Sequence, residues 1–256
     1  METGKILHIA TYAGQIILEN GGETYRVEET ISRICKSFGI EVAEGFVTPT
    51  GIMASASKTP ADVRSVIKRV KHRTVNLEKI ALVNELSRQN VLNPLPLDVF
   101  YSNLVEIDGK KSREPKVVIG TAAIAAAAFT IMFGGNLADA LSAFLVGLVA
   151  KLITTSVSGL GVNDFFVNLA GGAIMTFLGL LSVWLGLGEH PSLIIIGSMM
   201  LLVPGLAITN AIRDTLAGDL VAGVTRGAEA IMIAVTLAAG SGIVVGLWIQ
   251  FLGGNI

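Results

Sequence analysis

Charge is what the second part of this chain lacks. Positions 117–256 hold only 3 of the 19 Lys and Arg and 6 of the 20 Asp and Glu, although 15% of the whole chain is charged. A soluble domain needs roughly a quarter of its residues charged to face water, so this stretch is excluded as an ordinary soluble domain and fits lipid. Cysteine is almost absent as well. The single Cys35 excludes an intramolecular disulfide and any CxxC metal or redox motif, which fits a reducing compartment. His8, His72 and His190 are scattered without a partner motif, and no glycine-rich phosphate loop, HExxH or GxSxG occurs. No enzyme site, metal site or cofactor is therefore expected. The net charge of −1 leaves no footprint for nucleic acid. The opening METGKILHIATYAGQ interrupts its apolar residues at every second or third position, so no cleaved export signal is expected.

What is present divides the chain in two. The expected fold class is a multi-pass α-helical membrane protein of about five transmembrane helices, preceded by a small cytoplasmic α/β domain. The boundary falls between 1–116 and 117–256. In the first part, Ile6, Ile9, Ala10, Ala13, Ile16 and Ile17 fall at helical spacing until Asn20-Gly21-Gly22 breaks the period. Val27, Ile31, Ile34, Cys35 and Phe38 resume it up to Gly39, which places Cys35 on a buried stripe as a core residue. Runs at 40–47 and 51–56 around Thr48-Pro49-Thr50 predict a hairpin, and 64–70 a third strand. Asn76 reads as a helix cap, and 97–107 as a further helix. Glu23, Arg26, Glu28 and Glu29 cluster at a helix start. On physical grounds alone they read as a solvated first turn with carboxylates near the helix N-terminus.

Hydrophobic runs at about 117–133, 137–158, 167–188, 192–208 and 230–252 each approach the ~20 residues that a helix needs to cross the hydrocarbon. Gly134-Gly135-Asn136, residues 159–164 and Glu189-His190-Pro191 provide turns. Lys110, Lys111, Arg113 and Lys116 precede the first run, which by the positive-inside rule places the N-terminal domain in the cytoplasm and, after five spans, the C-terminus outside. Asp139 and Lys151 read as interface residues near helix ends, and His190 as a turn residue.

The charged segment at 209–229 is the one stretch of the second part with chemistry in it. If helical, Asn210 and Asp214 lie one turn apart, while Asp219, Arg226 and Glu229 share a face. Pro204 and Gly205 are a helix break ahead of it. Two readings stand side by side: an amphipathic loop on the membrane surface, or charges facing a cavity that marks a substrate or proton path.

Gly21-Gly22-Glu23-Thr24-Tyr25-Arg26-Val27-Glu28 and Pro204 through Ala230 resemble the two signature stretches of the threonine/serine exporter family, and the similarity runs over nearly the whole chain. The resemblance implies the large, N-terminal component of a split two-subunit form in the cytoplasmic (inner) membrane. Its partners would be a small membrane subunit supplying the remaining helices, a small amino-acid or carboxylate substrate such as succinate, and protons, in an oligomeric assembly. It marks Asn210, Asp214, Asp219, Arg226 and Glu229 as substrate or coupling candidates, and Glu23, Arg26 and Glu28 as functional residues of the soluble domain. Arg226 would meet a substrate carboxylate, while Asp214 or Asp219 carries a proton or pairs the arginine in the empty site. The rival reading is a membrane-tethered ligand sensor or regulator.

Overall fold

The computed structural model describes residues 2–59, 61–111, 113–158 and 163–252. Of the expected turns, 159–164 falls largely outside them. Two compact units are present, one formed by residues 1–112 with 206–228, the other by 113–205 with 229–256.

The first unit is built around α1 (Glu2–Glu19), whose Ile6, Leu7, Ala10, Ala13, Ile16 and Ile17 are all buried. Helix α2 (Thr24–Ser37) packs on it through Val27 and Ile31, which approach the bare Cα of Gly14 so closely that a Cβ there would lie 2.9 Å from both. The chain reverses at Gly21, with φ +93°, a conformation that glycine adopts without a Cβ clash. Strands β1 (Val42–Thr48), β2 (Gly51–Ser57) and β3 (Val63–Arg69) form an antiparallel sheet in that order. Thr48 pairs with Gly51, so Pro49 and Thr50 make the hairpin turn. Val47, Ile52, Ala54 and Ala56 face the core, while Phe46, Met53 and Ile67 form an exposed row in register on the other face. Helix α3 (Leu77–Leu92) starts where Asn76 Oδ1 accepts the Lys79 amide at 3.2 Å, and α4 (Leu97–Gly109) buries Phe100 and Leu104. Cys35 is fully buried, and burial pushes its thiol up to about 12. Hydrophobic burial along these faces, at roughly 25 cal/mol per Å² of apolar surface, is the main stabilising term of this unit.

The second unit contains α5 (Pro115–Met132), α6 (Leu137–Ser158), α7 (Asp164–Trp184) and α8 (Pro191–Met199). Helix α9 (Gly205–Leu216) leads from it into the first unit. Helix α10 (Leu220–Leu252) spends residues 220–228 in the first unit and 229–252 in the second. Among the described residues, four helices are long and apolar enough to cross a membrane, namely those over Pro115–Met132, Leu137–Ser156, Phe165–Trp184 and Leu220–Leu252. The apolar run at 192–208 differs from the expectation. It is divided between the nine-residue α8 and the start of α9, because Pro204 has no N–H to continue a helix. Packing in this unit relies on bare backbone. Gly197 of α8 lies against Thr130 of α5, and Gly179 of α7 lies under Ile195, where a Cβ would come within 2.6 Å. Gly172 faces the Leu237 carbonyl at 2.5 Å from an ideal Cβ, and Gly240 faces the Leu169 carbonyl, so α7 and α10 cross in close contact. Beside this crossing Thr176 Oγ1 donates to Ser241 Oγ at 2.8 Å.

Candidate functional site

The Asn20-Gly21-Gly22 turn explains the site's location. Gly21 needs its positive φ, and a side chain on Gly22 would collide with Ile17, so the loop between α1 and α2 is bare and its carbonyls are open to approach. Two residues of the charged segment use them. Asn210 Nδ2 donates to the Gly21 carbonyl at 2.9 Å, and Arg226 Nη2 donates to the Gly22 carbonyl at 2.7 Å.

Asp214 and Arg226 form the centre, 0% and 6% exposed. The Arg226 Nε lies 3.1 Å from Asp214 Oδ2, an ion pair by distance without an aligned N–H···O bond. The other carboxylate oxygen of Asp214 accepts the Thr24 amide at 3.2 Å. That amide belongs to the first turn of α2, where the N–H groups have no intrahelical acceptor, so Asp214 supplies from a distant segment what a local cap would otherwise supply. Burial pushes the Asp214 carboxyl above its usual range, and the charge of Arg226 with the hydrogen bonds from Thr24 only partly offsets it. Asp219 accepts from Thr24 Oγ1 at 3.1 Å.

Glu23 holds a second layer of pairing. Its carboxylate accepts from Arg26 Nε at 2.7 Å and from Arg213 Nη1 at 2.6 Å. Burial works to raise this group, but the two arginines and a backbone hydrogen bond outweigh it and hold Glu23 below the ordinary glutamate value. The same Glu23 contact holds the Arg26 guanidinium protonated above its usual range. Glu28 accepts the Val47 amide at 2.9 Å. Burial, aided by the nearby charges of Asp219 and Asp214 and opposed by that amide, pushes Glu28 up. Four carboxylates (Glu23, Glu28, Asp214, Asp219) thus stand among three guanidinium groups (Arg26, Arg213, Arg226), leaving one acid in excess. Glu28 has no guanidinium within ion-pair distance among the described residues.

The predicted residues therefore separate into two sets. Glu23, Arg26, Glu28, Asn210, Asp214, Asp219 and Arg226 come together, with the first three inside the same compact unit as the segment that was read as a surface loop or cavity lining. Glu229 belongs to the second unit, and Pro204 and Gly205 join α8 to α9 outside the cluster. Thr24 and Arg213 were missed as members. Arg213 carried a signal, since it shares one helical turn with Asn210 and Asp214. A polar network in the second unit was missed as well. Asp139 and Asn136 cap α6 reciprocally, with Asp139 N donating to Asn136 Oδ1 at 2.8 Å and Asn136 N to Asp139 Oδ2 at 3.2 Å. Asp139 also accepts the Glu189 and His190 amides at 2.7 and 3.0 Å and meets His190 Nδ1 at 2.8 Å. The Asn-x-x-Asp spacing was its visible signature. Among the described residues no group of three or more His, Cys, Asp or Glu is placed to hold a metal ion.

A compact α/β unit completed by a charged segment from between apolar helices defines a polytopic helical membrane protein. The model of the threonine/serine exporter family, ThrE, matches residues 8–248, and the chain belongs to that family. It is 20% identical to the probable threonine/serine exporter of Mycobacterium tuberculosis (strain H37Rv) over 99% of this chain and 47% of that protein. With the threonine/serine exporter of Corynebacterium glutamicum it shares 22% identity over 93% of this chain and 50% of the relative. The chain thus spans about half the length of these relatives. With the probable succinate transporter subunit YjjP of Escherichia coli (strain K12), identity is 23% over 97% of this chain and 96% of that one. No solved structure matches the chain.

Proposed function

We propose that this chain is one component of a secondary exporter that moves a small amino acid or a small carboxylate across the cytoplasmic membrane, working with a second membrane subunit. The observation that carries this is coverage: the chain corresponds to half of two full-length relatives named as exporters and to nearly all of a relative named as a subunit. The relative of matching length is named as a subunit, which supports a second membrane subunit in place of the other half of the longer relatives.

The two units support a membrane path. Residues 1–112 and 206–228 share one compact body, so the chain between them leaves one side of the membrane and returns to it, crossing an even number of times. Helices α5, α6 and α7 supply three crossings. The fourth falls to α8 with residues 200–204. Residues 200–203 follow in tight turns, with the Leu202 and Val203 amides both donating to the Met199 carbonyl, so at ~1.5 Å per residue the stretch 191–204 spans roughly 21 Å, a short crossing against the ~30 Å hydrocarbon thickness. Helix α10 is the fifth. The basic residues Lys110, Lys111, Arg113 and Lys116 ahead of α5 favour a cytoplasmic first unit and a C-terminus outside.

On this reading Arg226 and Asp214 neutralise each other in the resting state, and Arg226 changes partner when a substrate carboxylate arrives. Glu28, the acid in excess, is raised by burial as Asp214 is but stands without a guanidinium at ion-pair distance among the described residues, and is the group to carry a coupling proton. The test is efflux of preloaded threonine, serine and succinate from cells lacking their own exporters, with this chain alone and with a candidate small subunit. Flux of one of the three is expected only with both. Correctly inserted and assembled proteins that move none of them would refute the proposal. So would undiminished flux in both Asp214→Asn and Arg226→Gln for the assigned roles.

A further inference from the structure

Between Asp62 and Glu78 the first unit carries Arg64, Lys68, Arg69, Lys71 and Arg73, five cations with His72 among them and no Asp or Glu. Residues 71–75 are all exposed and follow β3 without regular structure. Like charges at this density repel, and repulsion alone would spread the run into solvent. Here it is pinned: the Thr74 amide donates to the Glu19 carbonyl at 2.7 Å, and the Asn76 amide to the Asn20 carbonyl at 3.1 Å. The side chains of Lys68, Arg69 and Lys71 make no hydrogen bond or ion pair to any described residue. Beside them Val75 and Leu77 are 64% and 60% exposed. A cationic run held in place without counter-charge, next to two bare apolar side chains, fits a surface that is both anionic and apolar.

Its position points to the same surface. The pinned segment ends against the Gly21 turn, where an ideal Cβ on Gly21 would lie 3.3 Å from the Thr74 carbonyl and 3.2 Å from Leu206 Cδ2. Leu206 is the second residue after Pro204, the end of the fourth crossing in the membrane path above. Lys71 stands three residues before Thr74, at most ~10 Å of extended chain, comparable with the ~8 Å Debye length at physiological ionic strength. Its charge is therefore felt where the chain leaves the bilayer. Anionic headgroups supply the missing counter-charge, and the layer beneath them accepts Val75 and Leu77. A second copy would set cations against cations, and nucleic acid would leave the apolar pair in water.

We propose that residues 68–77 are a docking surface for anionic lipid headgroups of the membrane that holds the chain's own helices, with Lys68, Arg69 and Lys71 over the phosphates and Val75 and Leu77 in the headgroup layer. This seat rests on the membrane path above and not on what the exporter carries.

The experiment places an environment-sensitive fluorophore on Leu77→Cys in the full chain, reconstituted in vesicles of phosphatidylcholine alone or mixed with phosphatidylglycerol. The one native cysteine, Cys35, is fully buried, so the introduced thiol is the one that labels. Leu92→Cys is the control, 78% exposed at the other end of α3 and about 22 Å along the helix. With phosphatidylglycerol the emission at position 77 is expected to shift to the blue and to be quenched by lipids brominated on their acyl chains, while position 92 stays unchanged. High salt should reverse the shift. Each cation near an anionic surface favours docking by a factor of about five, so Arg69→Ala/Lys71→Ala should lower the ratio of docked to undocked protein about 25-fold. Identical emission at position 77 in the two kinds of vesicle overturns the docking surface, a comparison that needs no charge variant to fold. So does a shift that persists undiminished in Arg69→Ala/Lys71→Ala. The same shift produced in phosphatidylcholine vesicles by an added acidic peptide or oligonucleotide would give the surface to that partner and overturn the lipid assignment. Transport enters none of these readings, so failure of the exporter reading leaves them standing.

Discussion

The two units are held together by opposite means. The first, beyond its apolar core, buries an ion pair and a ring of charge-assisted hydrogen bonds between a bare glycine loop and residues nearly two hundred positions away. The second has almost no charge to use and brings helices together where glycines let one backbone touch another. In water, burying polar groups gives a domain a unique partner for a segment that apolar packing alone would hold in many registers. In lipid, hydrophobicity does not distinguish one helix neighbour from another, so shape at the crossing has to do so.

Removing one half of the buried pair tests this contrast most severely. Arg226→Met leaves Asp214 as an uncompensated buried charge, at a cost of about 3–5 kcal/mol. Thermal and denaturant unfolding of the full chain should show that loss, and the double variant Arg226→Met/Asp214→Leu should regain a large part of it. A double variant no more stable than the single one would mean that the pair is not acting as a unit. In the second unit the corresponding change is steric. Gly240→Ala puts a Cβ into the Leu169 carbonyl and should cost ~1–3 kcal/mol, whereas Gly242→Ala, with open space around its Cα, should be neutral or stabilising. Equal effects at 240 and 242 would remove the close crossing as an explanation.

The smallest effect is expected at Glu23. Its folded-state value is held below the ordinary 4.5, so the stability it contributes is fully present above that pH and is lost as pH falls through the depressed value. Glu23→Gln should therefore narrow the gap between unfolding midpoints at pH 7 and in mild acid. An unchanged acid limb would show that other carboxylates govern it. Glu28 and Asp214 are shifted upward and act with the opposite sign, so of these three carboxylates only Glu23 predicts this direction.

Most of the elements were legible because they are written locally. The apolar period of α1, the Thr48–Pro49–Thr50–Gly51 reversal and the Asn76 cap each depend on residues within a turn of one another. The division of the run at 192–208 was half legible, through Pro204 and Gly205. The candidate site was legible as a set of residues and not as an arrangement. Asp214 and Thr24 have no shared periodicity, and nothing in a helical repeat tells a buried aspartate that its donor is the first turn of α2. Arg213 could not be placed from its sequence neighbours alone, because its ion pair with Glu23 depends on the chain returning to the N-terminal unit. Glu229 looked like a neighbour of Arg226 by helical spacing, whereas it belongs to the second unit and Arg226 to the first.

The pairing of Thr24 with Asp214 also sets an order of events during synthesis. The acceptor is made 190 residues after its donor, a delay of roughly 10–40 s at 5–20 residues per second. For that interval the α1–α2 loop, Glu23 and the first turn of α2 emerge without their partners, and α5, α6, α7 and α8 must all be made before residues 206–228 reach them. Completion of the N-terminal unit is thus a report that the intervening spans have been threaded, and a nascent chain that fails to thread them leaves Glu23 and the Gly21 and Gly22 carbonyls exposed as a mark of the failure.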